Sequence, residues 1–149
     1  MALKRVVVTG LGALTPIGNN LDEFWTGLIE GKSGAAPITY FDTEKFKTKF
    51  ACELKDFDVS LHLDRKQQRK MDRFTQYGMV STEEAIKDSG LDLEKINKLR
   101  VGVIWGSGIG GIETFQNQML DHASGDGTPR FNPFFIPKMI ADITPGYIS

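Results

Sequence analysis

Nine consecutive residues, Arg65 to Arg73 (RKQQRKMDR), include five cations. Read as a helix, Lys66, Arg69, Lys70 and Arg73 stand at relative positions 0, 3, 4 and 7 and share one face. In the first turns of a helix, cations oppose the macrodipole at a cost of ~0.3–1 kcal/mol. Like charges four residues apart add a similar penalty. An anionic partner is the simplest compensation, and a solvated charged face is the plain alternative. These residues alone do not distinguish an acidic protein from a phosphate group.

A second stretch with chemical capacity is Val101 to Gly111, VGVIWGSGIGG. Its first five residues are uncharged and mostly apolar, the pattern of a strand covered on both faces. Gly106, Gly108, Gly110 and Gly111 then permit a tight turn and close approach of a neighbour. Ile112, Phe115 and Met119 follow at helical spacing. Gly106-x-Gly108-x-x-Gly111 matches the form of a dinucleotide fingerprint. The acidic residue required about twenty positions later, at the end of a second strand, is replaced here by the loop sequence SGDGTPRF. Close helix packing, or a backbone-lined slot for something thin, explains the glycines better.

Side chains suited to covalent or metal chemistry are few. Cys52 is the single cysteine, which excludes an internal disulfide and a cysteine-based metal site. No cation or imidazole adjoins it in sequence to activate the thiol, so it is expected to be a buried or half-buried structural residue. His62 and His122 stand apart among polar residues. These residues supply no metal set and no nucleophile–base pair.

The elements that must position these residues follow from periodicity. Lys4 to Thr9 reads as a buried strand. Asn20 is a candidate N-cap for a helix with Leu21, Phe24, Trp25 and Leu28 inward, ended by Gly31 or Gly34. Phe50 to Leu54 reads as a short strand. Asp64 to Ser89 is the longest helical signal, opened by an Asp64/Gln67 capping box and stopped by Gly90. Met71, Phe74, Gly78, Ser81 and Ala85 form its inward stripe. Ser124 to Pro129 reads as a loop. Asn132 to Pro137 (NPFFIP) sets two aromatics between prolines, either as anchors in the chain's own core or as a ligand or subunit contact.

The 149 residues carry 40% apolar and 25% charged side chains and a net charge of -1, the balance of a soluble, globular chain without a global pull toward nucleic acid. Its apolar runs are too short to span a bilayer, and the amino terminus lacks a signal-peptide core. A cytoplasmic protein is expected. Two strands are too few for a parallel sheet, so the chain reads as the front part of a larger protein. A short protein with an α-rich core is the alternative.

Six pieces, in order along the whole chain, resemble the β-ketoacyl-acyl-carrier-protein synthases, with the closer likeness to the bacterial elongating type. They are KRVVVTGLGALTPIGN near the start, FDT at 41–43, RKQQRKMDRF at 65–74, DSGL at 88–91, GSGIGG at 106–111 and NPFFIP at 132–137. The resemblance implies an α/β, thiolase-like fold, an αβαβα sandwich in the intact protein. Residues 1–149 would be the amino-terminal part of its first half, with the catalytic cysteine region and second half outside this chain. It implies fatty-acid elongation by decarboxylative Claisen condensation of an acyl-enzyme with malonyl-acyl-carrier protein. Partners would be the acyl carrier protein and a second subunit in a homodimer. No cofactor is implied, since the substrate brings its own phosphopantetheine. Lys66, Arg69, Lys70 and Arg130 match carrier-docking positions, and Ile109 and Phe135 match acyl-pocket positions. Neither Cys52, His62 nor His122 matches a catalytic residue, so this segment alone is expected to be inactive. A non-catalytic chain-length-factor-like subunit and, more remotely, a nucleotide-dependent oxidoreductase are the alternatives.

Overall fold

The computed structural model describes residues 3–149. In chain order the elements are α1 (Leu21–Ile29), β1 (Ala36–Pro37), β2 (Phe50–Ala51), a 3₁₀ turn (Val59–Leu61), α2 (Arg65–Lys70), α3 (Arg73–Ser89), a second 3₁₀ turn (Lys98–Arg100), α4 (Ile112–Ser124), α5 (Phe135–Met139) and α6 (Ile143–Ile148). They belong to two compact units, one running through Phe57 and taking in Ser81–Asp92, the other comprising Asp58–Val80 and Leu93–Ser149.

In the first unit, Asn20 caps α1 by accepting the Glu23 N–H at 2.9 Å, and Asp22 and Glu23 place negative charge at the positive end of the helix. The carboxyl half of α3 supplies acids that hold the irregular segment before α1. Glu84 accepts the Ala13 N–H at 2.7 Å and the Leu21 N–H at 2.8 Å, and Asp88 accepts the Leu11 N–H at 2.8 Å. Strands β1 and β2 pair antiparallel, with Ala36 opposite Ala51 and Pro37 opposite Phe50.

In the second unit, Leu63, Met71 and Val80 are buried apolar side chains. Thr75 on α3 and Thr144 on α6 are fully buried and join their hydroxyls at 3.1 Å, so neither leaves a polar group unsatisfied.

Several sequence expectations need correction. The segments at 4–9 and 101–105 form no ladder, and the one sheet among the described residues is β1–β2. Val6 is 88% exposed and Ile104 is 99% exposed. Apolar β-branched residues favour a strand only when a neighbouring strand takes up the backbone groups, and neither segment has one. On α1, Trp25 and Leu28 face solvent instead of a core. The helical signal from 64 to 89 is two helices. Met71 breaks it at φ -105°, ψ 142°, and the Gln76 side-chain amide donates to the carbonyls of Gln68 and Met71 at 3.2 and 3.3 Å. The NPFFIP segment is partly helical. Pro137 falls in the first turn of α5, where its missing N–H has no intrahelical partner to lose. Cys52 is exposed, not buried, beside the two-residue strand β2.

Candidate functional site: a basic groove and a glycine corner

Local signals build the basic face. Asp64 Oδ1 accepts the N–H groups of Lys66 and Gln67 at 2.7 and 2.8 Å, and Gln67 Oε1 accepts the Asp64 N–H at 3.0 Å. This reciprocal box satisfies donors that a helix start otherwise leaves open. The Gln68 amide donates to the Leu63 carbonyl at 2.6 Å, tying the first turn to a buried residue. Because α2 stops at Lys70, Arg69 and Lys70 lie in its last turn. There the dipole favours cations, so the penalty expected for a long helix falls away at those two positions. Arg73 starts the next helix and makes an ion pair with Glu113 at 3.7 Å, so it does not join the same continuous face.

Arg65, Lys66, Arg69 and Lys70 line an open groove of about 450 Å³ with Phe134. Lys70 Nζ stands 6.0 Å from the Phe134 ring centroid, at the edge of cation–π range. Arg65 and Phe134 were not singled out by the basic spacing: Arg65 lies outside the 0, 3, 4, 7 pattern, and Phe134 is distant in sequence. Asn132 brings Phe134 to its place by accepting the Phe134 N–H at 2.8 Å, while its own N–H donates to Gln118 Oε1 on α4 at 2.6 Å. Arg130 is not a lining residue of the groove. It is exposed and paired with Asp126 at 3.1 Å. Hydrogen bonds from Thr128, backbone first and side chain second, hold the Asp126 carboxyl below its ordinary value.

The glycine-rich stretch turns sharply at Gly110, whose φ is +82°, a left-handed conformation that side chains disfavour. The Gly110 N–H donates to Ser107 Oγ at 3.1 Å and the Gly111 N–H to the Met139 carbonyl at 3.0 Å. A Cβ on Gly111 would collide with the Lys138 carbonyl oxygen, so the corner is pressed against the end of α5. Ile109 sits on it with 71% exposure. Phe135 is half-buried and stacked between Phe131, at 5.7 Å between centroids, and Phe115, at 6.2 Å. His122 adjoins this ladder, 5.3 Å from Phe131. The face expected on α4 is therefore partly filled, with Phe115 against Phe135 and Ile112 exposed.

A larger cleft, about 600 Å³, lies in the first unit between residues 15–19, α1 and the Lys55–Asp56 turn. Asp22, Glu23, Glu30 and Asp56 line it with Lys32 and Lys55, and it contains none of the residues expected to bind substrate or carrier.

The model of the β-ketoacyl synthase amino-terminal domain matches residues 3–149. The chain belongs to the β-ketoacyl synthase family. It is 46% identical to a 3-oxoacyl-[acyl-carrier-protein] synthase 2 of Staphylococcus aureus (strain COL), over 98% of this chain and 35% of the relative. The chain thus spans about a third of the length of the curated relatives it matches. Among solved structures, the ishigamide ketosynthase/chain length factor aligns with a TM-score of 0.80 at 32% identity, covering 93% of this chain and 34% of that one. The ketosynthase AntDE, in complex with its type II polyketide acyl-carrier protein AntF, aligns at 0.79 and 28% identity, covering 99% and 38%. These neighbours are thiolase-like ketosynthases, the fold class that the sequence resemblance implies.

Proposed function

We propose that the intact protein elongates fatty acyl chains as a 3-oxoacyl-acyl-carrier-protein synthase. An acyl group passes from the carrier's phosphopantetheine thioester to a cysteine sulfur supplied from outside residues 1–149. Malonyl-carrier loses carbon dioxide, its carbanion attacks the acyl-enzyme carbonyl, and the cysteine thiolate leaves with the bonding pair. In this reading residues 1–149 belong to the first thiolase-like half, and the protein works as a cytoplasmic homodimer without a cofactor of its own. Lys66, Arg69 and Lys70 receive the acidic carrier, with Arg130 as an outlying contact. Ile109 and Phe135 line the acyl slot.

The observation that carries this reading is the cationic groove over Phe134, in a chain whose relatives are named for an acyl-carrier-protein substrate. Exposed cations accelerate encounter and give modest, salt-sensitive affinity, which suits a carrier that must leave in each cycle. The test is carrier binding by the intact protein across a salt series. Changing Lys66, Arg69 and Lys70 together to Ala should weaken binding about tenfold and flatten its salt dependence. Unchanged binding would return this face to simple solvation. The purified 149-residue chain should form no ketoacyl product.

A second reading is a non-catalytic, chain-length-factor-like subunit, favoured by the name of one structural neighbour. Sequencing beyond Ser149 separates the two, since glutamine in place of the nucleophilic cysteine would select the second.

A further inference from the structure

Helix α4 begins on Gly111, which has no side chain to cap it. The polar partner at this end comes from a different element. Asp72, in the two-residue joint between α2 and α3, accepts the Thr114 hydroxyl proton. Its Oδ2 would stand 2.9 Å from a Cβ on Gly111, so the carboxylate lies directly against the corner. The neighbouring Arg73 reaches Glu113 at 3.7 Å. Two adjacent residues, Asp72 in the joint and Arg73 at the start of α3, therefore reach two adjacent residues in the first turn of α4. The Arg73–Glu113 pair is about half exposed on both sides and holds weakly. Asp72 and Thr114 are half-buried, and their bond is charge-assisted, the stronger kind. A carboxylate at a helix amino terminus also faces the positive end of the dipole.

The corner is thus held on three sides. Ser107 Oγ takes the Gly110 N–H, the Met139 carbonyl takes the Gly111 N–H, and Asp72 closes the remaining side through Thr114. Ile109 is the next residue back along the chain, and its side chain moves with this backbone. Of the three supports, the Asp72–Thr114 contact is made between two side chains, so it can be removed without altering the main chain.

We infer that Asp72 is a positioning residue for acyl-length selection, acting through Thr114 to set where Ile109 stands. This rests on the acyl-slot role proposed above for Ile109. An apolar slot discriminates between substrates one methylene apart by their fit, so a small displacement of its wall changes the ratio between long and medium chains more than it changes either rate in common. A contact that merely capped α4 would lower turnover of every length by one shared factor.

The test uses the intact protein and carrier-borne acyl groups from medium to long. Thr114→Val keeps the branched shape and removes the hydroxyl. It should change the long-to-medium ratio of kcat/KM about fivefold, the factor carried by one net hydrogen bond. Thr114→Ser restores the hydroxyl and should restore the ratio. Combining Thr114→Val with Ile109→Ala should abolish the effect of the valine, since the side chain being positioned is then gone. Should Thr114→Val fail to fold, Asp72→Asn alone and combined with Ile109→Ala replaces it, removing the charge while keeping an acceptor. A uniform loss across all lengths, an unchanged ratio, or a valine effect that survives Ile109→Ala overturns the inference and leaves the condensing reading intact. A wild-type protein that condenses no acyl group overturns both.

Discussion

Helices α2 and α4 are secured at their amino termini in different ways. α2 is closed from within, by Asp64 and Gln67 three residues apart. α4 starts on a bare glycine with no side-chain cap, and its first turn is held from outside, where Asp72, 42 residues away in sequence, takes the Thr114 hydroxyl. A cap encoded locally needs no tertiary contact to form, whereas a hold borrowed from another element exists only once the surrounding elements have docked. The basic face therefore stands on a self-contained helix, and the glycine corner stands on the packing of the second unit.

The sharpest way to break this contrast is Gly111→Ala. The added methyl meets the Lys138 carbonyl oxygen, a main-chain atom that cannot swing aside. Overpacking of this kind should cost about 3 kcal/mol or more, read from urea unfolding, and a loss below ~1 kcal/mol would show that the corner is not pressed as described. Asp64→Ala should cost less, about 1 kcal/mol, because water can replace part of an exposed cap. A loss as large as that of Gly111→Ala would mean that α2 depends on more than its own capping box. The smallest effect is expected at Asp58, whose carboxyl is lowered from 3.8 by hydrogen bonds from the Ser60 side chain and then its backbone N–H. Its folded value lies below the unfolded one, so its contribution is present above about pH 4 and disappears as pH falls through the folded value. Asp58→Asn should flatten a small part of the acid sensitivity of unfolding, through a slight loss of stability at neutral pH and none below the folded value.

Helix caps and helix periods were readable in advance because their information lies within four residues. Asn20, the Asp64/Gln67 box and the stop at Gly90 all form where the spacing puts them. The strand expectations at 4–9 and 101–105 failed for the complementary reason, since a strand is half of a pair and periodicity says nothing about whether the other half is present. The break at Met71 was hidden as well. The apolar stripe runs through it unaltered, and Gln76, which satisfies the carbonyls freed there, is ordinary in a helical pattern.

The candidate site divides along the same line. Lys66, Arg69 and Lys70 announced themselves by charge and spacing. Phe134 joined them only in three dimensions, by way of the Asn132–Gln118 contact with α4.

By itself, the sequence determined which residues could form a cationic face, where the backbone could turn most tightly, and which family the chain resembles. Those properties reside in residue type and short-range order. The tertiary structure decided that the long helical signal is cut at Met71, that Phe134 forms part of the basic groove, and that Asp72 grips the start of α4. Each of these depends on groups far apart in the chain meeting at contact distance, and neither composition nor period carries that information.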